Sequence, residues 1–98
     1  MATYHLRALA RDDLEVIWDY TIEQWGIEQA ENYLALLLAC FEELAKNPEM
    51  GRQRDEILPC LRSFPQGRHV IFYEIGSSAI EVIGIVHQSA DVNPHLDP

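Results

Sequence analysis

The sequence predicts an α+β domain in the order β-α-α-β-β-β. In this fold an N-terminal edge strand and an antiparallel helical hairpin pack on a small antiparallel sheet. Two observations support the class. Apolar residues recur at helical spacing through the first half of the chain, as far as Asn47-Pro48. Further on, two runs rich in β-branched and aromatic residues, 69–75 and 79–86, flank the short connector Gly76-Ser77-Ser78, which is typical of a β-hairpin. With 98 residues, we expect one domain spanning 1–98.

The first elements are a short strand, from Thr3 to Leu6, and a helix that begins near Ala8 and ends at Gly26. Apolar residues of the helix follow the pattern of one buried face: Leu14, Ile17, Trp18, Ile22 and Trp25. Asp12, Asp13 and Glu15 fall in its early turns, where the helix dipole favours negative charge. We interpret Trp18 as core, whereas Tyr20 lies off the apolar stripe and is a candidate exposed aromatic.

A second helix is predicted from about Glu28 to Lys46, where Asn47-Pro48 stops it. Its apolar stripe comprises Ala30, Tyr33, Leu34, Leu37, Leu38, Phe41, Leu44 and Ala45. The connector around Gly26 is short, so the two helices must form an antiparallel hairpin. Leu36 widens the stripe beyond what one neighbouring element requires, and we expect part of it to be available to a partner.

Three strands follow the helices. Leu61 to Phe64 forms a short strand, with Leu61 and Ser63 on one face, and 65–67 forms the turn after it. Alternation along 69–75 places apolar side chains on both faces, so this strand is central in the sheet or covered by a partner. We predict that the tail, 89–98, is irregular.

The charge distribution restricts the partners. The chain carries a net charge of −9, yet five of its seven lysines and arginines lie within 46–68. Non-specific affinity for nucleic acid comes mainly from neutralising phosphates, so we expect no direct sequence-specific nucleic-acid binding, but docking to a local anionic surface. No apolar run approaches the roughly 18 residues that span a bilayer. Without a signal peptide, we expect a cytoplasmic location, where Cys40 and Cys60 would be buried free thiols.

Several short segments resemble one family when they are taken in order: Asn47-Pro48-Glu49-Met50-Gly51-Arg52, Leu61-Arg62, Gly67-Arg68-His69-Val70-Ile71-Phe72-Tyr73 and Val86-His87-Gln88, with Asp13-Leu14, Ile17-Trp18-Asp19-Tyr20 and Trp25-Gly26 upstream. This series resembles the ParE branch of the ParE/RelE superfamily, the toxins of bacterial type II toxin–antitoxin systems. One departure stands at the first helix, where Arg7 and Ala8 replace the usual Ser or Thr cap and proline.

The resemblance implies a toxin that inhibits DNA gyrase by binding, without a cofactor or metal. It also implies a cognate antitoxin that neutralises the toxin through apolar contacts in a hetero-oligomer. We predict the gyrase contacts to be Arg52, Arg54, Arg62, Arg68 and His87. We predict the antitoxin contacts to be Leu34, Leu37, Leu38, Phe41, Ile71 and Tyr73.

Two alternatives stay open. A RelE-like, ribosome-dependent mRNA endoribonuclease would use Arg52, Arg54 and Arg62 for charge stabilisation, with Glu74 or His87 for proton transfer. Against it, the last strand contains no Lys or Arg, and no aromatic residue follows Tyr73. The other alternative is an inactive relative that binds only its antitoxin. The four histidines show no metal-ligand spacing.

Overall fold

A computed structural model describes residues 3–90 and confirms the predicted α+β class. The elements are β1 (Tyr4–Leu6), α1 (Ala8–Trp25), α2 (Ile27–Lys46), a 3-10 turn (Pro48–Met50), β2 (Arg52–Gln53), β3 (Arg62–Gln66), β4 (His69–Ile75) and β5 (Ile80–His87). Both predicted helices begin and end within one residue of the expected positions. Most of the predicted tail, from residue 91 on, lies outside the described residues.

The strands form one five-stranded sheet in the order β1-β5-β4-β3-β2. β3, β4 and β5 are antiparallel neighbours, as predicted, and β1 lies at an edge, where it pairs in parallel with β5. The two-residue strand β2 was not predicted. It pairs antiparallel with β3 and forms the opposite edge of the sheet.

The turn between β3 and β4 corrects the predicted strand end. β3 continues through Pro65 to Gln66, which pairs with His69, so the connection is Gly67-Arg68 rather than 65–67. Gly67 has a φ of +61° at the first central position, which a two-residue hairpin turn of this kind requires and which glycine adopts without steric cost.

The sheet buries apolar side chains on both faces, as the pattern of β4 predicts. Ile71 and Tyr73 pack in the main core against the helices, together with Leu37 and Phe41. The other face holds a smaller cluster of Leu61, Phe72 and Val86, against which Leu9, Ile57, Leu58, Val70 and Ile83 pack.

β5 contains an irregularity that strand alternation does not reveal. Phe72 pairs with Gly84 but the next residue, Tyr73, pairs with Val82, so Ile83 is an extra residue on β5. Such a β-bulge shifts the alternation by one residue. Val82 and Ile85, three residues apart, therefore both reach the main core.

The buried face of α1 is more polar than predicted. It consists of Ala10, Asp13, Ile17 and Thr21, while Trp18 is only partly buried and Trp25 is 56% exposed. The side chains of Asp13 and Thr21 both have hydrogen-bond partners within the fold. The Thr21 hydroxyl donates to the Ile17 carbonyl at 2.6 Å, and Asp13 Oδ2 accepts from the Ile85 N–H at 2.9 Å. These bonds remove the cost that burying polar groups would otherwise carry.

Two smaller expectations met different outcomes. Cys40 is a buried free thiol, as predicted, but the free thiol of Cys60 is exposed, because Cys60 lies in the turn before β3 with a φ of +67°.

Neither α1 nor α2 is long and apolar enough to cross a membrane.

Candidate binding surfaces

The segment after α2, Pro48–Gly51, is held against the sheet by two side chains from neighbouring strands. The buried Tyr73 hydroxyl donates to the Pro48 carbonyl at 2.6 Å and accepts from the Gly51 N–H at 2.9 Å. Arg62 Nη1 donates to the Gly51 carbonyl at 2.7 Å and to the Glu49 carbonyl at 3.3 Å. Burial raises the pKa of Tyr73. Arg62, predicted as a target contact, is therefore committed to positioning this segment.

Arg54 and Arg52 lie beside the same segment but differ in their contacts. Arg54 Nε donates to Glu56 Oε2 at 2.7 Å and Arg54 Nη1 donates to Ser63 Oγ at 3.2 Å. The hydrogen bond from Arg54 lowers the pKa of Glu56. Arg52 is exposed on the edge strand β2, and within residues 3–90 its side chain makes no ion pair. It is thus the cation of this group that is most available to a partner.

Arg68 and His87 lie at the other end of the sheet. His87 pairs with His69, which follows Arg68 and pairs with Gln66 at the far end of β3. Arg62 and Gln66 are four residues apart on β3, a separation of roughly 13 Å at the usual strand rise. The five predicted target contacts therefore divide into two groups, one at each end of β3.

Arg68 and His87 line a cavity of ≈ 320 Å³ between the helical hairpin and the sheet, here called the end pocket. Its lining is Tyr20, Thr21, Trp25, Gln29, Tyr33, Gly67, Arg68, His69 and His87. The Tyr33 hydroxyl and His69 Nδ1 share a hydrogen bond of 2.6 Å, and Tyr33 also accepts from the Arg68 N–H at 3.1 Å. Tyr33 thereby joins α2 to the β3–β4 turn.

The ring contacts and electrostatics of the end pocket are also defined. The His69 and His87 rings meet edge to face at 5.5 Å between centroids, and the Arg68 guanidinium carbon lies 5.1 Å from the centre of the Trp25 ring. Burial lowers the pKa of His69, with smaller contributions in the same direction from His87 and Arg68 and an opposing one from Asp13. The environment of His69 therefore favours the neutral form of its ring.

Sequence reasoning missed the end pocket as a site. From the sequence, Tyr33 was assigned to the apolar stripe of α2, and His69 was assigned only as the first residue of a predicted strand. The two residues are 36 positions apart, and neither spacing nor residue type marks such a pair before the chain is folded.

The predicted antitoxin contacts are corrected in part. Leu37, Phe41, Ile71 and Tyr73 have no exposed surface or nearly none, because each packs in the main core between helices and sheet. They cannot contact a partner while the domain keeps this conformation. The remaining predicted contacts, Leu34 and Leu38, are partly exposed, and Leu36 on the same helix is 54% exposed.

The groups proposed for nuclease chemistry are not brought together. Glu74 pairs with Glu81 and His87 pairs with His69, so the two candidate proton-transfer groups are roughly 17 Å apart along the strands. The carboxylate of Glu74 instead lies 3.6 Å from the Arg7 guanidinium. Within residues 3–90, no group of three or more His, Cys, Asp or Glu side chains is placed to hold a metal ion.

The fold defines the chain as a RelE/ParE-like α+β protein. A solved structure described as the chromosomal ParDE toxin–antitoxin system from P. aeruginosa matches with a TM-score of 0.75 and 18% identity, over 89% of this chain and 96% of that chain. The RelBE2 toxin–antitoxin complex from Mycobacterium tuberculosis matches with a TM-score of 0.63, over 89% and 98% of the two chains, also at 18% identity.

Sequence comparison gives the family. The family model for the ParE toxin of the type II toxin–antitoxin system parDE matches residues 4–92. Toxin ParE1 of Mycobacterium tuberculosis is 42% identical over 94 residues, which cover 95% of this chain and 96% of the relative. Toxin ParE1 of Caulobacter vibrioides is 38% identical over 96 residues, covering 98% and 99%. The chain belongs to the ParE family of toxins of type II toxin–antitoxin systems.

Proposed function

We propose that this ParE-family toxin acts in the cytoplasm by binding DNA gyrase and that it cuts no nucleic acid itself. The family match across residues 4–92 carries the proposal, since gyrase inhibition is what the resemblance to ParE implies. The distance between Glu74 and His87 supports a binding mechanism over the ribonuclease alternative. An RNA-cleaving site needs its acid, base and cations around one phosphate.

We place the gyrase contact at the Arg52 end of the sheet. Arg52 is exposed, and the neighbouring Met50 is 44% exposed. A cation beside an exposed apolar side chain is a suitable anchor, because a few such residues usually provide most of the binding energy of an interface. Arg54 and Arg62 support this surface indirectly, through their bonds to Ser63 and to the Pro48–Gly51 segment.

Purified protein in a gyrase supercoiling assay tests the proposal. We expect inhibition with accumulation of cleaved DNA, and we expect Arg52→Gln to weaken inhibition at least roughly fivefold, as loss of one charged interface contact does. Arg11→Gln is the matched control. It removes the same charge from an exposed position on α1 whose side chain makes no ion pair within residues 3–90.

The same protein expressed in cells separates the alternatives. We expect filamentation and DNA damage, with ribosome-bound mRNA intact. Cleavage of mRNA that disappears in His87→Ala would assign the chain to the nuclease branch instead. A folded protein without effect on growth or on gyrase would identify an inactive relative.

We further propose that a cognate antitoxin covers the outer face of α2 in a hetero-oligomer, with Leu34, Leu36 and Leu38 as apolar contacts. Leu34 and Leu38 lie one helical turn apart and are partly exposed, whereas Leu36 is exposed on another side of α2, so an apolar segment of a partner would contact all three by wrapping across the outer face of the helix. Leu36→Glu should weaken antitoxin binding strongly, since a charge would be buried without a partner. Val16→Glu, the same type of change at an exposed position on α1, should not. Equal losses in both variants would argue against this surface.

A further inference from the structure

The end pocket differs from the rest of this acidic protein in its chemistry. The chain has a net charge of −9, yet this cavity is lined by one arginine, two histidines and three aromatic residues, and by no aspartate or glutamate among residues 3–90. Ligand pockets typically have volumes of roughly 300 to 1,000 Å³, so ≈ 320 Å³ is enough for a small ligand. The lining favours a ligand that is both anionic and aromatic.

Arg68 provides the positive charge. Within residues 3–90 its guanidinium makes no ion pair, and it lies against the face of the Trp25 ring. The arginine is exposed, and its backbone N–H, by contrast, is fixed by Tyr33. The charge therefore lies over the Trp25 ring and is not neutralised by any residue within 3–90. A guanidinium with its fork of donors is suited to a phosphate group.

Both imidazoles leave one nitrogen for a ligand. His87 Nδ1 lies 2.8 Å from Ser89 Oγ and accepts from the Ser89 N–H at 3.2 Å, so Nε2 is the ring nitrogen left for a ligand. His69 uses Nδ1 for Tyr33. His69 Nε2 makes no hydrogen bond within residues 3–90. The pocket therefore offers an imidazole N–H donor near the Arg68 cation.

The aromatic side chains provide the apolar wall. Trp25 and Tyr20 are more than half exposed, at 56% and 57%, although both rings border the cavity. A nucleobase stacked on such a ring contributes binding energy with little dependence on sequence. Gln29 adds an amide that can donate to and accept from a base edge.

We propose that the end pocket binds a mononucleotide, with its phosphate at Arg68 and His87 and its base against Trp25 and Tyr20. The inference goes beyond the proposed gyrase contact, which lies at the other end of β3, and does not depend on it. We expect binding without cleavage. The rings of His69 and His87 contact each other edge to face, so no phosphate fits between them as it would between a general acid and a general base.

Titration of the purified protein with AMP and dTMP, followed by amide NMR and by the fluorescence of Trp25 in a Trp18→Phe background, tests the proposal. We expect shifts concentrated at Gln29, Gly67 and Arg68, with quenching of Trp25. Inorganic phosphate and adenosine, each carrying half of the ligand chemistry, should bind at least roughly tenfold more weakly than AMP. A 12-nucleotide single strand serves as the macromolecular comparison.

Two variants assign the binding energy. Arg68→Gln should weaken AMP binding by roughly tenfold or more, because a charge-assisted hydrogen bond is lost. Arg11→Gln, an equal change of net charge about 20 Å away along α1, should have no effect. The proposal is overturned if AMP causes no shifts at millimolar concentration, if the shifts lie outside the end pocket, if both variants lose affinity equally, or if the single strand binds and mononucleotides do not.

Discussion

Tyr73 and His69 are the residues whose roles depend most on the folded state. Tyr73 is an apolar strand residue by its position in the sequence, yet its hydroxyl lies between the Pro48 carbonyl and the Gly51 N–H. Gly51 is required for this approach, since a Cβ at that position would collide with the Tyr73 hydroxyl. His69 likewise follows the alternation of β4 while its ring faces Tyr33 and His87.

Replacing Tyr73 with Phe should destabilise the protein by about 1–3 kcal/mol, because the Pro48 carbonyl and the Gly51 N–H each lose a buried partner. Chemical denaturation measures the loss. Tyr20→Phe removes the same hydroxyl from an exposed position and should leave the free energy of unfolding unchanged. A Tyr73→Phe variant as stable as the parent would show that water replaces the hydroxyl.

The burial of His69 should make stability pH-dependent. Its folded-state pKa is lowered by burial, so the unfolded chain binds more protons below its own pKa of about 6.5. The contribution to stability is therefore complete above that pH and is lost as the pH falls through the folded-state pKa. Urea unfolding between pH 7.5 and 5 should show this decline. His69→Gln should flatten this decline.

At the scale of elements, the sequence predicted what depends on periodicity and on strong stop signals. The ends of both helices, the hairpin and the two-faced burial of β4 follow from apolar spacing, Gly26 and Asn47-Pro48. The prediction for the buried face of α1 was wrong, because that face includes the polar residues Asp13 and Thr21. Asp13 bonds to the distant Ile85 N–H and Thr21 to the Ile17 carbonyl. β2, the bulge at Ile83 and the end pocket depend on which segments meet in space, which residue patterns do not encode locally.

The contribution of the buried Asp13 to stability can be measured directly by substitution. Asp13→Ala should cost about 1–3 kcal/mol, because the Ile85 N–H would be left without an acceptor beneath α1. Asp13→Asn keeps a carbonyl oxygen at nearly the same place and should cost less. Denaturation of both variants checks the order, and equal losses would indicate that the negative charge itself matters rather than the hydrogen bond.

For the whole molecule, the charge distribution should decide how the protein meets DNA. A net charge of −9 opposes binding to a polyanion, and bases that are stacked inside a duplex cannot enter a pocket of ≈ 320 Å³. We therefore expect no measurable binding to a 20-base-pair duplex alone at 150 mM salt, by fluorescence anisotropy, and association with DNA only when gyrase is present. Micromolar affinity for the free duplex would contradict this.

The bond between Asp13 and Ile85 also bears on how the chain behaves without a partner. β1 pairs with β5 only as far as Val82, which would leave the rest of that strand as an open template for another chain. Asp13, on α1, accepts a hydrogen bond from the Ile85 N–H in that part of β5. The strands at the two edges of the sheet, β1 and β2, are only three and two residues long. Long open edges promote intermolecular strand pairing. The toxin without a bound partner should therefore stay dispersed in solution instead of assembling with copies of itself.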